Sequence, residues 1–319
     1  MTLTSLKRTA ADFAELQDEE QLLGSPTALW KTALRRLFRR KTGIVGMCLV
    51  GFMMFVAIAA PLLAPYDPYN VLIGKEDVRK RAAPCIHILG CESSRPQHLM
   101  GIDGNFRDQL SRVIYGARVS LSVGFSTVIF AVTGGVFLGA IAGFWGGWLD
   151  NVIMRIMDVI LGFPSLLLAI AIVAVLGPGI RNALLAIAIV TLPAYARVMR
   201  ASVLSIKELD YVAASKAIGA SSTRILLVRV VPNALTPIVV LATLGIASAI
   251  LDAAGLSFLG LGAQPPTAEW GTMLGSERNQ VFSAPHLVFF PGFAIMITVL
   301  GFNLLGDGMR DALDPRLND

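Results

Sequence analysis

The stretch IVGMCLVGFMMFVAIAAPLLA, residues 44–64, decides the fold class, because it runs for 21 residues without a charged side chain. A helix of that length rises roughly 31 Å at about 1.5 Å per residue, which matches the hydrocarbon core of a bilayer. Of the 319 residues, 55% are hydrophobic and only 15% are charged, whereas soluble domains carry about a quarter charged residues. The sequence therefore predicts an all-α transmembrane protein.

Five further apolar stretches complete the pattern. They cover residues 119–149, 152–176, 182–199, 234–251 and 287–305. Glycines near the end of the second stretch predict a turn there, and Pro164 and Pro193 predict irregularities inside the third and fourth. The sequence thus predicts six spans in one domain, residues 42–319, with both termini on the same side of the membrane.

The basic residues orient these spans. Five of the 27 lysines and arginines crowd into residues 35–41, directly before the first span, which predicts that the segment 1–41 is cytoplasmic and that residues 27–41 form an amphipathic interfacial helix. The loop 65–118 mixes eight basic with six acidic residues and is placed outside. The loop 200–233 is rich in basic residues and is placed in the cytoplasm. We read the net charge of +5 as this orientation signal, not as a nucleic-acid surface.

The cytoplasmic stretch LDYVAASKAIGASSTRILLVRVVPN, residues 209–233, is longer than a turn between two spans requires. Its alanine-rich first part favours a helix, and Gly219 can adopt the positive φ that ends one. Ser221 or Ser222 is placed to cap the next helix, which Pro232 ends. On spacing alone, a simple connection between spans remains the alternative.

This stretch resembles the cytoplasmic loop of binding-protein-dependent ABC importer permeases, whose pattern is Glu-Ala-Ala, three residues, Gly, and later hydrophobe-Pro-Asn. Ala213 stands where the family has Glu and Ser215 where it has Ala, so the salt bridge of that Glu is in doubt here. The resemblance implies a short coupling helix that docks on an ATPase subunit. The residues assigned to this role are Tyr211, Ala213, Ala214, Ser215, Lys216, Gly219, Ala220 and Ser221.

Three further stretches resemble the C-type subunit of dipeptide, oligopeptide and nickel permeases: RDQLSRVIYGARVSL at 107–121, DAAGLSFLGLGAQPPTAEWG at 252–271 and NLLGDGMRDALDPRL at 303–317. The resemblance implies a six-helix permease domain in the lipid of a bacterial inner membrane. It implies as partners a homologous permease subunit in a heterodimer, two ATPase subunits, an extracytoplasmic binding protein and a di- or oligopeptide substrate. Nickel is the alternative substrate.

No phosphate-binding loop of the form G-x-x-x-x-G-K-[ST] occurs in the sequence, so ATP and Mg²⁺ are expected on the partner subunits, with no cofactor in this chain. An ion-coupled secondary transporter is the first rival, but it would place ionisable groups near the middle of the bilayer. A membrane enzyme is the second, and three scattered histidines with no clustered carboxylates argue against it.

Three polar features of the predicted outer face stay open. Asp252, in an otherwise apolar region, is either an outer gate or a helix-end carboxylate. Cys85 and Cys91 either form a disulfide in an oxidising compartment or remain free thiols. The histidines beside them, His87 and His98, lack metal-ligand spacing, so no metal site is expected.

Overall fold

The computed structural model describes residues 35–38, 40–92 and 94–313. Within these ranges the chain is helical, and its only β-type pairing consists of isolated bridges. Most of the predicted interfacial helix 27–41 lies outside the described residues. Its remaining part is helical at residues 35–37, where the buried Leu37 packs near Gly43 and Gly308.

Ten helices follow one another along the described chain. They are α1 Lys41–Ile58, α2 Ala60–Leu63, α3 Gln109–Trp145, α4 Gly147–Leu161, α5 Ser165–Leu176, α6 Ile180–Ile206, α7 Asp210–Ala217, α8 Ser222–Phe258, α9 Trp270–Glu277 and α10 His286–Leu313. Five of them, α1, α3, α6, α8 and α10, are long and apolar enough to cross a membrane. The remaining predicted span, residues 152–176, corresponds to a bent pair of helices, α4 and α5.

The predicted span 152–176 is not one helix: the irregularity predicted at Pro164 is a break, at which α4 and α5 meet at 94°. Pro164 is the physical reason: it has no N–H to donate, and it disfavours helical geometry in the residue before it. The helix therefore stops at Leu161, and a new one starts at Ser165.

The second span begins earlier than the sequence predicts, at Gln109 and not at 119. Asp108 caps this helix, since its carboxylate accepts a hydrogen bond from the Ser111 backbone N–H at 2.7 Å. The external loop accordingly ends at 108. Hydropathy marks only the apolar part of a helix, and α3, α8 and α10 all extend beyond it as polar or mixed helix.

Close packing of α3 on α6 forms the centre of the bundle. Gly135, Gly139 and Gly143 recur every fourth residue on α3 and face α6. A Cβ at Gly135 would lie 2.6 Å from the Tyr195 Cβ, and one at Gly139 would overlap the Ala196 carbonyl oxygen. Small residues at this spacing let two helix backbones approach in a membrane, where dispersion contacts replace the hydrophobic effect between helices.

The loop before α3 and the connection 262–286 lie together at one end of the bundle. Arg81 in the first pairs with Glu277 in the second at 2.8 Å. The Arg112 guanidinium, at the start of α3, donates to the Pro266 carbonyl oxygen at 3.3 Å. The segment around α7 lies at the other end, where the Lys207 Nζ donates to the carbonyl oxygen of Gly143 near the end of α3.

We expect Gly139→Leu to destabilise the protein by about 1–3 kcal/mol or more, because overpacking at a backbone contact forces α3 and α6 apart. The measurement is the free energy of unfolding in mixed micelles. Gly51→Leu is the matched control: it is also a glycine in a membrane helix, but nothing lies within 4 Å of its Cβ position. Equal loss in both variants would contradict the packing account.

Candidate coupling site and external cap

The predicted helix, glycine break and second helix are present at residues 210–225. Helix α7 ends in a Schellman motif: the Gly219 N–H donates to the Lys216 carbonyl oxygen at 3.0 Å, and the Ala220 N–H donates to the Ser215 carbonyl oxygen at 3.1 Å. Gly219 takes a φ of +84°, which is the left-handed geometry that this motif requires. Ser221 occupies the next N-cap position, but its side chain makes no capping hydrogen bond.

Helix α7 is attached to the start of α8 by one buried side chain and two weaker polar contacts. Val212 is fully buried in the same core cluster as Ile225 and Val230. The Tyr211 hydroxyl lies 3.5 Å from the Arg229 carbonyl oxygen and 3.4 Å from the Asn233 amide nitrogen. Helix α7 is therefore tied to the main core of the bundle, which also contains the start of α8.

The opposite face of α7 is uncovered. Ala213, Ala214 and Lys216 are exposed, and the Ser215 hydroxyl is turned back to donate to the Tyr211 carbonyl oxygen at 2.7 Å. Ile218, beyond the helix end, is 85% exposed. A groove of 280 Å³ adjoins this face; its lining includes Ser215, Ile218, Gly219, Ala220, Arg224 and Arg229. Small side chains beside the exposed apolar side chains of Ile218 and Val228 are suited to close contact with another protein.

Five residues at the start of α8, Leu226–Val230, form a π-helical turn ahead of Pro232. Proline removes one backbone donor from the helix. The Asn233 side chain compensates nearby, since its amide nitrogen donates to the Arg229 carbonyl oxygen at 2.7 Å. The Pro-Asn pair therefore maintains backbone hydrogen bonding where the helix is irregular, in the same turn that α7 rests on.

Ion pairs join α4 to α6 beside this region. The Arg200 guanidinium contacts both oxygens of Asp150, and Arg197 contacts Asp158 at 2.6 Å. These pairs link α4 to α6. They therefore help to hold α4, which is short and meets α5 at a sharp bend, against α6. Because Arg197 and Asp158 are half exposed, their pair contributes little to stability by itself.

The other end of the bundle carries a compact cap, which we define as residues 65–108. His98 is buried at its centre, with Nδ1 2.9 Å from the Asp108 carboxylate and Nε2 3.2 Å from the Glu76 carboxylate. Burial by itself lowers the pKa of His98, but the hydrogen bond and charge of Asp108, together with Glu76, outweigh burial and raise it above its ordinary value. In the imidazolium form both ring nitrogens donate, one to each carboxylate.

The cap is joined to the 262–286 connection mainly through Glu277. This buried carboxylate accepts from the Arg81 guanidinium at 2.8 Å and from the Gly104 N–H at 3.0 Å. Cys85 and Cys91 form a disulfide within the cap, with their Cα atoms 5.4 Å apart, inside the usual range for such a bond.

Asp252 lies in α8, six residues before its end, and is half-buried. The residues predicted to couple to the ATPase lie at 211–221, just before the opposite end of α8. Asp252 is therefore far along the chain from them. Sequence reasoning missed Val212, Asn233 and Glu277. The Pro-Asn motif was a signal for Asn233, whereas nothing local distinguishes Glu277 from an exposed acid.

We expect Asn233→Ala to lower the free energy of unfolding by about 1 kcal/mol, because the Arg229 carbonyl oxygen loses its side-chain donor. Unfolding in mixed micelles measures it. Tyr211→Phe is the control and should cost less, since its hydroxyl contacts are at the limit of hydrogen-bond length. A larger effect of Tyr211→Phe would contradict this description of the turn.

The cap should open more easily as pH rises. Because the folded pKa of His98 is raised above 6.5, its stabilising contribution is complete below pH 6.5 and is lost as pH rises through the folded pKa. Hydrogen exchange of the Cys85 amide, which donates to the His98 carbonyl oxygen, measures this opening between about pH 5.5 and about 8.5. In His98→Gln the opening free energy should not vary with pH. A pH profile in this variant that equals that of the unmodified protein would contradict the assignment.

Two family models match different parts of the chain. Residues 135–319 match the family described as binding-protein-dependent transport system inner membrane component. Residues 28–84 match the N-terminal TM domain of oligopeptide transport permease C.

Relatives of known name are similar over nearly the whole chain. A dipeptide transport system permease protein of Alkalihalophilus pseudofirmus is 47% identical, covering 90% of each chain. A di/tripeptide transport system permease protein of Pseudomonas aeruginosa is 45% identical, covering 92% of this chain and 96% of the relative. A glutathione transport system permease protein of Escherichia coli is 44% identical over 90% of this chain and 91% of the relative.

Among solved structures, a chain of the inward-facing MetNI methionine ABC transporter superposes with a TM-score of 0.53 at 18% identity, covering 64% of this chain and 96% of that one. At this identity the match shows the fold alone, and that fold is the one described above. The chain therefore belongs to the family of binding-protein-dependent transport system inner membrane components, and within it to the C-type dipeptide and oligopeptide permeases.

Proposed function

We propose that this chain forms half of the translocation pathway of an ATP-driven importer for di- or oligopeptides. Its partners are a homologous permease subunit, two ATPase subunits that bind ATP and Mg²⁺, and an extracytoplasmic binding protein. The observation that carries the proposal is the uncovered face of α7 held on the start of α8 by the buried Val212. That arrangement suits a helix that a partner subunit displaces and that transmits the displacement to a membrane span.

The substrate class is supported by the relatives. Their names specify dipeptides, di- and tripeptides and glutathione, all of them small peptides. They share between 44% and 47% identity with nearly the whole of this chain. No observation in the structure favours nickel over a peptide.

In the proposed mechanism, an ATPase subunit binds the α7 face formed by Ala213, Ala214, Lys216 and neighbouring residues. Closure of the ATPases on ATP displaces α7 as a rigid body. Gly219 and Ala220 shape the end of the docking face through the Schellman turn, and Tyr211 connects α7 to Asn233. Since α8 runs from this turn to the external cap, its displacement reaches both ends of the bundle.

The proposed location is the inner membrane of a bacterium, with both termini and α7 in the cytoplasm. The support comes from the basic residues, which crowd before α1 and around α7. The cap then faces the extracytoplasmic compartment, which is oxidising enough for the Cys85–Cys91 disulfide. In the same orientation Asp252 belongs to the outer half of the pathway and serves at its outer gate.

The docking face is tested by Ala214→Arg. We expect this exposed charge and bulk to reduce co-purification of the ATPase subunits by about tenfold or more, equivalent to about 1.4 kcal/mol of binding free energy. ATP-driven uptake of a labelled dipeptide into proteoliposomes should fall with it.

Ala83→Arg is the matched control, because Ala83 is an equally exposed alanine in the cap, at the opposite end of the molecule. It should leave ATPase binding unchanged. Full ATPase binding and full uptake in Ala214→Arg would refute the docking assignment, and uptake by this chain without any ATPase would refute the importer itself.

A further inference from the structure

The outer half of α8 presents an uncovered row of residues around a single acid. Asp252 is the only acidic residue of this helix. Ser248 is exposed, Leu251 is 49% exposed, and Asp252 and Gly255 are half-buried. The spacing of these four positions places them on one helical face. The opposite face is packed: Ile250, for example, is buried against α3.

The Asp252 carboxylate has no counter-charge among residues 35–38, 40–92 and 94–313: none of the ion pairs there includes it. An ionisable side chain in a membrane span is costly against lipid, and in membrane proteins it faces a protein interior or a water-filled cavity. The uncovered row is therefore a surface for water or protein, not for hydrocarbon.

The break between α4 and α5 points to the same surface independently. The backbone at residues 162–164 is not regular helix, and Phe163 beside it is 57% exposed. Non-helical backbone at membrane depth is tolerated only where protein buries it or where it lines a water-filled cavity. The Leu166 Cδ1, just after the break, lies 3.9 Å from the Cβ position of Gly255. The break and the acidic row therefore adjoin each other.

We propose that the row Ser248, Leu251, Asp252 and Gly255 is this chain's share of the pathway wall, and that the Asp252 carboxylate receives the protonated amino terminus of the peptide. This inference rests on the proposed import of peptides. Charge complementarity selects the ligand: a peptide amino terminus is largely protonated near neutral pH, with a pKa of about 7.7–8.0.

The geometry also suits passage. Asp252 is half-buried and keeps contact with the open side of α8, so its attraction for an ammonium group is screened by water. Transport requires a contact that is favourable enough for entry and weak enough for release. The hydroxyl of Ser248, one turn nearer the cytoplasmic end, supplies a second polar contact on the same route.

Cross-linking in the assembled, reconstituted importer tests which end of the peptide meets this position. Ser248→Cys, one turn from Asp252 on the same face, is made with Cys48→Ala, since Cys48 is the exposed free cysteine of the described chain. Asp252 is kept, so that its carboxylate can still bind the peptide. The dipeptides Cys-Ala and Ala-Cys, both with free termini, are supplied with the binding protein during turnover under mild oxidation. We expect Cys-Ala to form the mixed disulfide at least about fivefold faster, because thiol exchange depends on access.

Phe130→Cys in the same Cys48→Ala background is the matched control, because Phe130 is also an exposed residue of a membrane helix, but lies on α3. It should react with neither dipeptide. Equal reaction of both dipeptides at position 248, or reaction only with Ala-Cys, would overturn the assignment of the amino terminus.

The carboxylate itself is tested by Asp252→Asn and Asp252→Glu. Asp252→Asn should lower the number of dipeptides taken up per ATP hydrolysed by about tenfold, while the ATPase subunits still co-purify and hydrolyse ATP. Asp252→Glu should restore most of the uptake. Wild-type uptake in Asp252→Asn would overturn the proposal. Equal losses of uptake in both variants, together with loss of the ATPase subunits, would also overturn it, because they would show that Asp252 has a packing or partner-pairing role.

Failure of the proposed function gives a different result. In that case the unmodified importer takes up no dipeptide, labelled or not, before any variant is made. Uptake of Ni²⁺ in place of dipeptides by the unmodified importer would contradict both the proposed substrate class and the amino-terminus assignment.

Discussion

A hydrocarbon solvent offers no hydrogen bonds, and this constraint governs the fold from end to end. Each backbone N–H and C=O in the membrane must find a partner within the protein, so the described chain crosses the bilayer only as helix. The break at Pro164 shows the constraint at work, since the chain ends one helix there and begins another at 94°. At Pro232, in the segment predicted to be cytoplasmic, the Asn233 side chain donates to the Arg229 carbonyl oxygen.

The same solvent decides how the helices pack and where polar groups lie. Between helices in lipid, close approach replaces hydrophobic burial, and Gly139 brings the backbone of α3 against that of α6. Buried polar side chains concentrate instead at the ends of the bundle. Around His98 they stabilise the cap, and Glu277 joins the cap to the 262–286 connection. At the other end, the ion pair of Arg200 with Asp150 holds α4. The bundle is thus apolar in the middle, with Asp252 as an exception that invites a functional explanation.

The coupling segment follows from local chemistry that sequence reasoning captures well. Gly219 and the alanine-rich α7 each have a signal at fixed spacing, and the first helix, the turn and the start of the second helix appear where those signals place them. The predicted end of the second helix at Pro232 is wrong, because that proline lies near the start of the apolar span and the helix continues to Phe258. What the sequence does not reveal is long-range: Val212 differs little from its neighbours until tertiary packing buries it, and Arg81 lies 196 residues from Glu277. Hydropathy likewise detects the span around Pro164, but carries no information about direction, so the 94° bend was missed. The start of α3 was missed because its first turn is polar.

The central claim is that α7 and α8 move as one body when ATP binds, because Val212 of α7 is buried in the same core cluster as the start of α8. Spin labels at Lys216 on α7 and Ser248 on α8, both exposed, measure this by electron spin resonance in the assembled importer. The account predicts the same Lys216 to Ser248 distance with and without ATP, while the distance from Ser248 to the same position on the homologous permease changes. A Lys216 to Ser248 distance that changes with ATP while the one between the permeases stays fixed would contradict it.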